Sequence, residues 1–281
     1  MWQKVRKLAR ETIAGWWSDR AMSLGAAIAF YAVFSLAPTL LMVIAIAGLA
    51  FGREAAREAI ADELGGLIGE DGASLVLTMM ADAGEFEAGL IGTAVGLVTF
   101  LLVATGVFVE IQDALNIVWK AKPIAATGGV WAFVRGRLLS FALIASIGFL
   151  LLVSLLVDAA LSAASGYVLG AFPGATTLLF AVNFVLGFLF AVLLFGLIFA
   201  ILPNTEPTAA EVIPGAILSG VLFTFGKFAI GIIVGQSGVT SAYGASASIM
   251  TIMLWVYYSS QILLLGAEFG RAYGRNAGSS K

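Results

Sequence analysis

Residues 21–51 read AMSLGAAIAFYAVFSLAPTLLMVIAIAGLAF, a stretch with no Asp, Glu, Lys or Arg. A helix rises 1.5 Å per residue, so about 20 such residues cross a hydrocarbon core roughly 30 Å thick. This run is long enough to cross with residues to spare. It is also too long for a cleavable signal, and no convincing cleavage site precedes the polar sequence that follows. It reads as the first retained membrane span. Its apolar residues are continuous rather than alternating, which selects a helix, whose backbone hydrogen bonds close within the segment, over a β-barrel strand.

Similar runs follow at 90–119, 138–165, 176–202, 212–235 and 246–273, each bounded by charge, Pro or Gly clusters. The expected fold is an all-α integral membrane protein with a six-helix membrane domain over 21–273. Residues 1–20 precede it, 52–89 form the one large insertion, and 274–281 are a tail. The composition agrees: 60% of the 281 residues are hydrophobic and 11% are charged, with a mean hydropathy of +1.02. A soluble domain carries about 25% charged residues, so a water-soluble globule is excluded. The chain has no Cys and no His. Thiolate and imidazole metal sites, a Cys nucleophile, a Ser-His-Asp triad and a histidine pH switch are excluded with them.

Basic residues near spans remain on the cytoplasmic side. Twelve of the fifteen Lys and Arg lie before the first span (Lys4, Arg6, Lys7, Arg10, Arg20), between the second and third (Lys120, Lys122, Arg135, Arg137) or after the sixth (Arg271, Arg275, Lys281). The insertion between the first two spans has Arg53 and Arg57 against nine acids. It is expected outside, which places both termini in the cytoplasm. At the N-terminus, Trp2, Val5, Ala9, Ile13 and Trp16 repeat at helical spacing beside Lys4, Arg6, Lys7 and Arg10. That pattern describes a helix lying on anionic inner-leaflet lipids. In the insertion, Ile60, Leu64, Leu67 and Ile68 make one apolar stripe and Leu75, Val76, Met79 and Met80 another, separated by Gly69 to Gly72. Two short helices roofing the outer face are expected, either as a passive cap or as a gate or docking surface.

An ionisable side chain inside a span is costly and marks a functional candidate. Glu110 and Asp113 on the second span and Glu268 on the sixth fall near the cytoplasmic interface, within reach of Arg135, Arg137 and Arg271. At about 100° per residue, Glu110, Gln112, Asp113 and Asn116 share one side of the second span. Tyr257, Gln261 and Glu268 share one side of the sixth, together with Ser246. Two readings stand: the stripes line an inward-facing hydrated cavity that binds a cation, a proton or a polar head group, or they hydrogen-bond neighbouring helices together. Nearer the outside lie Lys227, Asp158 and Asn183, with Lys227 free to snorkel, pair with Asp158 or meet an anionic substrate. Pro38 should kink the first span, as a hinge or a static bend, with Ser35 available to a released carbonyl. GxxxG pairs at Gly48/Gly52, Gly92/Gly96, Gly231/Gly235 and Gly266/Gly270 serve close packing within the chain or a homo-oligomer.

Asp19, Ala21, Ser23, Ala26, Ala27, Ala29, Phe30, Tyr31, Ser35, Leu36 and Pro38 resemble the signature of the YihY/BrkB family of bacterial inner-membrane proteins. Two later blocks are similar to it as well: Gln112, Leu115, Asn116 and Trp119, and then Tyr243, Gly244, Leu254, Trp255, Tyr257, Gly266, Ala267 and Glu268. The resemblance covers nearly the whole chain, although residues from the third to the fifth span contribute little to it. It implies a six-helix plasma-membrane protein without a defined reaction. Some members carry a virulence factor or ribonuclease BN label. A nuclease needs clustered metal-binding carboxylates or His and a basic face for phosphate; here the nine acids of the insertion are expected to face away from cytoplasmic RNA and the others are dispersed, so no nucleic-acid partner is expected.

Three function classes follow. A secondary transporter or permease for a small solute or ion accounts for the in-span polar stripes without an ATP site. A lipid or amphiphile translocator would use the basic inner flanks and the outer roof. A non-transporting envelope scaffold needs only a stable bundle. No cofactor, metal or catalytic residue is expected, since no P-loop, dinucleotide fingerprint, EF-hand or zincin motif occurs.

Overall fold

A segment that is apolar on every side has no face for water and must be sheathed by lipid or by other helices. Residues 21–51 meet that condition and form one continuous helix in the computed structural model, which describes residues 2–68, 70–84, 102–103, 105–121, 175–236 and 245–278. The helices are α1 (Trp2–Ser18), α2 (Ala21–Phe51), α3 (Arg53–Ile68), α4 (Glu70–Gly84), α5 (Gly106–Val118), α6 (Ala175–Ile201), α7 (Ala209–Gln236) and α8 (Ala245–Gly278). Among the described residues there is no strand. Among the described residues, four helices contain segments long and apolar enough to cross a membrane: Ala21–Leu41, Phe184–Ile201, Ala209–Gly226 and Ile249–Ala277. The run at 138–165 lies outside the described residues, as does much of the first half of the run at 90–119.

Local chemistry explains the helix ends. Gly52 closes α2 with φ of 89°, a conformation that a Cβ disfavours, and donates its N–H to the Gly48 carbonyl at 3.1 Å. At the start of α7, the Glu211 carboxylate accepts hydrogen bonds from the Thr208 backbone N–H at 2.8 Å and the Thr208 hydroxyl at 3.1 Å. The side chain three residues into the helix thus satisfies a backbone donor at its start, as in a capping box. Pro38 sits inside α2, which continues through it. Pro38 has no N–H to offer the Phe34 carbonyl, yet the Ser35 hydroxyl donates to Ala32 O at 3.3 Å. Ser35 therefore does not serve the carbonyl that proline releases.

The helices bury two apolar clusters. One joins α2, α5, α6, α7 and α8 through Ile28, Phe108, Leu115, Phe199, Ala216 and Leu264. The other packs Val76 and Met80 of α4 against Ile44 and Ala47 of α2 and Ile252 and Trp255 of α8. Ala56 of α3 and Val76 and Met80 of α4 therefore belong to the core. On α1, Thr12 is buried and Trp16 packs against the first cluster, whereas Trp2, Val5, Ile13 and Trp17 remain exposed. Trp16, which spacing groups with the outward stripe, turns inward, and Trp17 takes its place. Four residues after Ile13 return closer to the same face than three do on this helix. The outward face thus combines bare aromatics with Lys4, Arg6, Lys7 and Arg10, the composition of an interfacial helix.

The α7–α8 pair is the closest. A Cβ on Gly266 would strike the Ser219 hydroxyl and one on Gly270 the Glu211 carbonyl, while Gly215 faces the Gly266 carbonyl. Small residues four apart on both helices bring the two backbones together. Gly266 and Gly270 are thus engaged within the chain, where their missing side chains make room for α7.

Candidate functional site

Gly15 and Gly25 bracket the corner between α1 and α2, and each leaves space for a polar side chain of α8. A Cβ at Gly15 would occupy the position of a Glu268 carboxyl oxygen, and one at Gly25 that of the Gln261 amide. Gln261 and Glu268 are seven residues apart, nearly two turns, so both stand on one face of α8 about 10 Å apart. The absent side chains at the corner turn that face into a polar seam.

Asp19 and Lys120 complete the seam. The Lys120 ammonium donates to Asp19 Oδ1 at 2.5 Å and Oδ2 at 2.6 Å. Among the described residues, the non-glycine positions with positive φ are Arg20 (56°) and Lys120 itself (51°). Left-handed backbone at such residues costs of order 1 kcal/mol or more, and here it turns the chain at both halves of the ion pair. The Asp19 side chain is only 6% exposed, against 51% for Lys120. Burial pushes the Asp19 carboxyl up. The side-chain contacts with Lys120, Glu268 and Ser18, together with the Lys120 charge, outweigh it and hold the group below its usual value of 3.8.

Glu268 is 3% exposed. It is in contact with Asp19 through a side-chain hydrogen bond and feels the charges of Lys120 and Arg271, yet among the described residues its Oε1 has no hydrogen-bond partner. Gln261 donates to Ala21 O at 3.2 Å, and its Oε1 is likewise buried without a partner. So is the indole N–H of Trp119, the neighbour of Lys120 in sequence. Buried polar atoms are nearly always paired. Glu268 and Gln261 each keep such an unpaired oxygen on the α8 face that meets the corner, which points to a place prepared for something other than protein.

The second-span stripe behaves differently. The Gln112 side-chain amide donates to the Leu202 carbonyl at 2.7 Å and to Asn204 Oδ1 at 3.4 Å, and the Asn204 N–H donates to Asn116 Oδ1 at 2.7 Å. These residues satisfy backbone groups left open where α6 ends. Glu110 is half-buried and Asp113 exposed, so the four do not converge. Replacing Gln112 with Leu should leave the buried Leu202 carbonyl short of a donor and cost about 1 kcal/mol, measured as a lower midpoint for unfolding in mixed detergent.

Tyr257 is half-buried on α8, whereas the neighbouring Tyr258 donates to Leu222 O at 3.3 Å and fills the space beside Gly226. Asn183 lies on α6 and Lys227 on α7. Asp158 lies outside the described residues, and so does its expected pairing with Lys227; Arg135 and Arg137, expected near Glu268, also lie outside them. Sequence reading missed Gly15, Gly25 and Asn204 and did not pair Lys120 with Asp19. Gly15 inside an otherwise helical amphipathic pattern was the available signal.

The sequence profile described as "Virulence factor BrkB" matches residues 12–281, which include the whole polar seam. The chain belongs to the BrkB family. Among curated relatives it is similar to a UPF0761 membrane protein of Rhodospirillum centenum, with 24% identity over 93% of this chain and 56% of the relative. A UPF0761 membrane protein of Ralstonia nicotianae shares 26% identity over 94% of this chain and 58% of its own length. One from Pseudomonas aeruginosa shares 31% over 62% and 41%, respectively. The chain thus spans little more than half the length of the first two. No solved structure matches it. Within the BrkB family this chain is a helical membrane protein, consistent with the membrane-length helices described above.

Proposed function

We propose that this BrkB-family chain is a six-span bacterial inner-membrane permease for a small polar solute or ion, with both termini in the cytoplasm and the Glu268 seam at its inner end. One observation carries the reading. A carboxyl group that is 3% exposed, on a helix long enough to cross the membrane, keeps an oxygen that no donor among the described residues meets. A side chain kept only for helix packing would be expected to have its polar atoms satisfied, as Gln112 Nε2 and Asn116 Oδ1 are. Twelve of the fifteen basic residues flanking the proposed inner side support the orientation. The reading assigns no catalytic step and no nucleic-acid partner, because the chain lacks His and Cys altogether.

Lipid translocation has separate support. Phe30, Tyr31 and Phe34 lie exposed along α2, and the basic face of α1 forms a groove lined by Arg6, Lys7, Arg10, Ile13 and Trp17. That groove offers cations beside an aromatic to an anionic head group. Reconstitution distinguishes the alternatives. Liposomes containing the protein should shrink and re-swell faster than empty ones under gradients of NaCl, KCl, glycerol or amino acids, and Glu268→Gln should slow the response. Scrambling of a fluorescent phospholipid without solute flux would replace the permease with a translocator. Neither activity would reduce the chain to a scaffold.

A further inference from the structure

We propose that Asp19 and Glu268 form a binding site for a small monovalent cation, with the Lys120 ammonium acting as a tethered cation that occupies part of it. The proposal deepens the permease reading by naming a ligand class, and it relies on that reading only for its physiological purpose.

Charge balance comes first. Two carboxyl groups share the α1–α2 corner with one ammonium: the ammonium bonds to both oxygens of Asp19, and Glu268 meets Asp19 through a shared proton. Glu268 makes no ion pair of its own among the described residues. The other charged group acting on it is Arg271, from one turn further along α8. Other acids packed near α8 are engaged elsewhere: Glu211 of α7 caps its own helix, and Glu11 of α1 accepts from Asn276. Once that shared proton leaves, a carboxylate this deeply buried needs another neutralising partner.

The donor set defines the class of that partner. Around the corner stand the Glu268 carboxyl with its unpartnered Oε1, the Asp19 carboxyl and the Ser18 hydroxyl, which donates to Asp19 Oδ1 at 3.2 Å. These are hard oxygen ligands, suited to alkali and ammonium ions rather than to soft metals. Calcium requires six to eight oxygens and magnesium a near-ideal octahedron, more than this corner provides. With the shared proton gone, two carboxylates offset by one lysine leave room for a single positive charge.

Access and shape agree. Lys120 is half-exposed while both carboxyl side chains are buried, so the ammonium is the part of the cluster that opens to solvent. Gly15 seats the Glu268 carboxyl, since any side chain there would displace it. Withdrawal of Lys120 would open the Asp19 and Glu268 carboxyl groups to solvent.

Equilibrium binding to the purified full chain in detergent tests this. The probes are radiolabelled sodium, rubidium as a potassium substitute, and methylammonium, each in excess N-methylglucamine chloride to hold ionic strength constant. Saturable binding of at least one probe is expected. Lys120→Met should tighten it about tenfold by removing the internal competitor, and Gly15→Ala should weaken it by about tenfold or more, the range seen when support around a bound ion is disturbed. Glu268→Gln should abolish it, whereas Glu58→Gln on α3 should not change it. Size-exclusion profiles verify that each variant is folded; should Glu268→Gln fail to fold, the opposite shifts of Lys120→Met and Gly15→Ala decide. Absence of saturable binding, binding unchanged in Glu268→Gln, or weaker binding in Lys120→Met would overturn the proposal. Binding without flux in liposomes would leave the site standing and remove the permease. Flux without binding would do the reverse.

Discussion

Gly270→Val lowers stability by about 3 kcal/mol, at the upper end of the cost of forcing extra carbons into a packed interface. Its new Cβ would meet the Glu211 carbonyl oxygen and lie 3.3 Å from the Gly215 Cα. Both obstacles are backbone, so no side-chain rotation relieves them. The helices must separate, or α8 must shift along its axis. Either movement disturbs the Ser219 hydrogen bond to the Ile262 carbonyl, 3.3 Å long and fully buried. A control of opposite sign is available at Gly187 on α6, where an added Cβ meets nothing within 4 Å. Gly187→Ala should raise stability by up to about 1 kcal/mol, because alanine loses less conformational freedom in a helix. Unfolding of both variants in a denaturing-detergent titration checks the pair. Equal midpoints would mean that the α7–α8 contact is not as close as drawn.

Lys120→Met is expected to cost about 2 kcal/mol in a buffer whose only cation is N-methylglucamine. Breaking a buried ion pair costs about 3 to 5 kcal/mol, and the half-exposed ammonium reduces that through solvent screening. Most of the loss comes from Asp19, left buried without its counter-ion. The pH dependence has a definite sign. Asp19 titrates below its usual 3.8 in the folded chain, so the pair contributes stability above the unfolded value and loses it as pH falls through the folded one. The gap between wild type and Lys120→Met should therefore be constant near neutrality and close in acid below about that value. A gap that persists in strong acid would show that Lys120 acts through packing of its stem instead.

Both predictions depend on juxtapositions that were unequally visible in the chain. The Gly266/Gly270 repeat was legible because small residues four apart always share a helix face. That the partner is α7, with Gly215 and Ser219 at the same spacing, required the folded chain, since several other GxxxG pairs had the same local appearance. The amphipathic nature of α1 was legible from its period, yet the inward turn of Trp16 was not. One residue rotates a side chain by about 100°, and only contact with the core decides which of two adjacent tryptophans is buried.

For the candidate site the division follows sequence distance. Glu268 and Gln261 stood out because a carboxyl and an amide in an apolar helix are costly. Gln112 and Asn116 stood out for the same reason and proved to be fastenings of the α6 terminus. Periodicity places polar atoms on a face without saying whether the facing backbone needs them. Asp19 and Lys120 are separated by 101 positions, and no local pattern joins them.

What the sequence determined alone was the medium and the element type. Continuous apolar runs must satisfy their backbone within helices and must avoid water, whatever their neighbours. What the tertiary structure decided was partnership: which glycine admits which side chain, which amide finds a carbonyl, and which carboxyl oxygen is left without a donor. Those outcomes depend on distances of a few ångströms between segments far apart in the chain, and such distances exist only after the helices have packed.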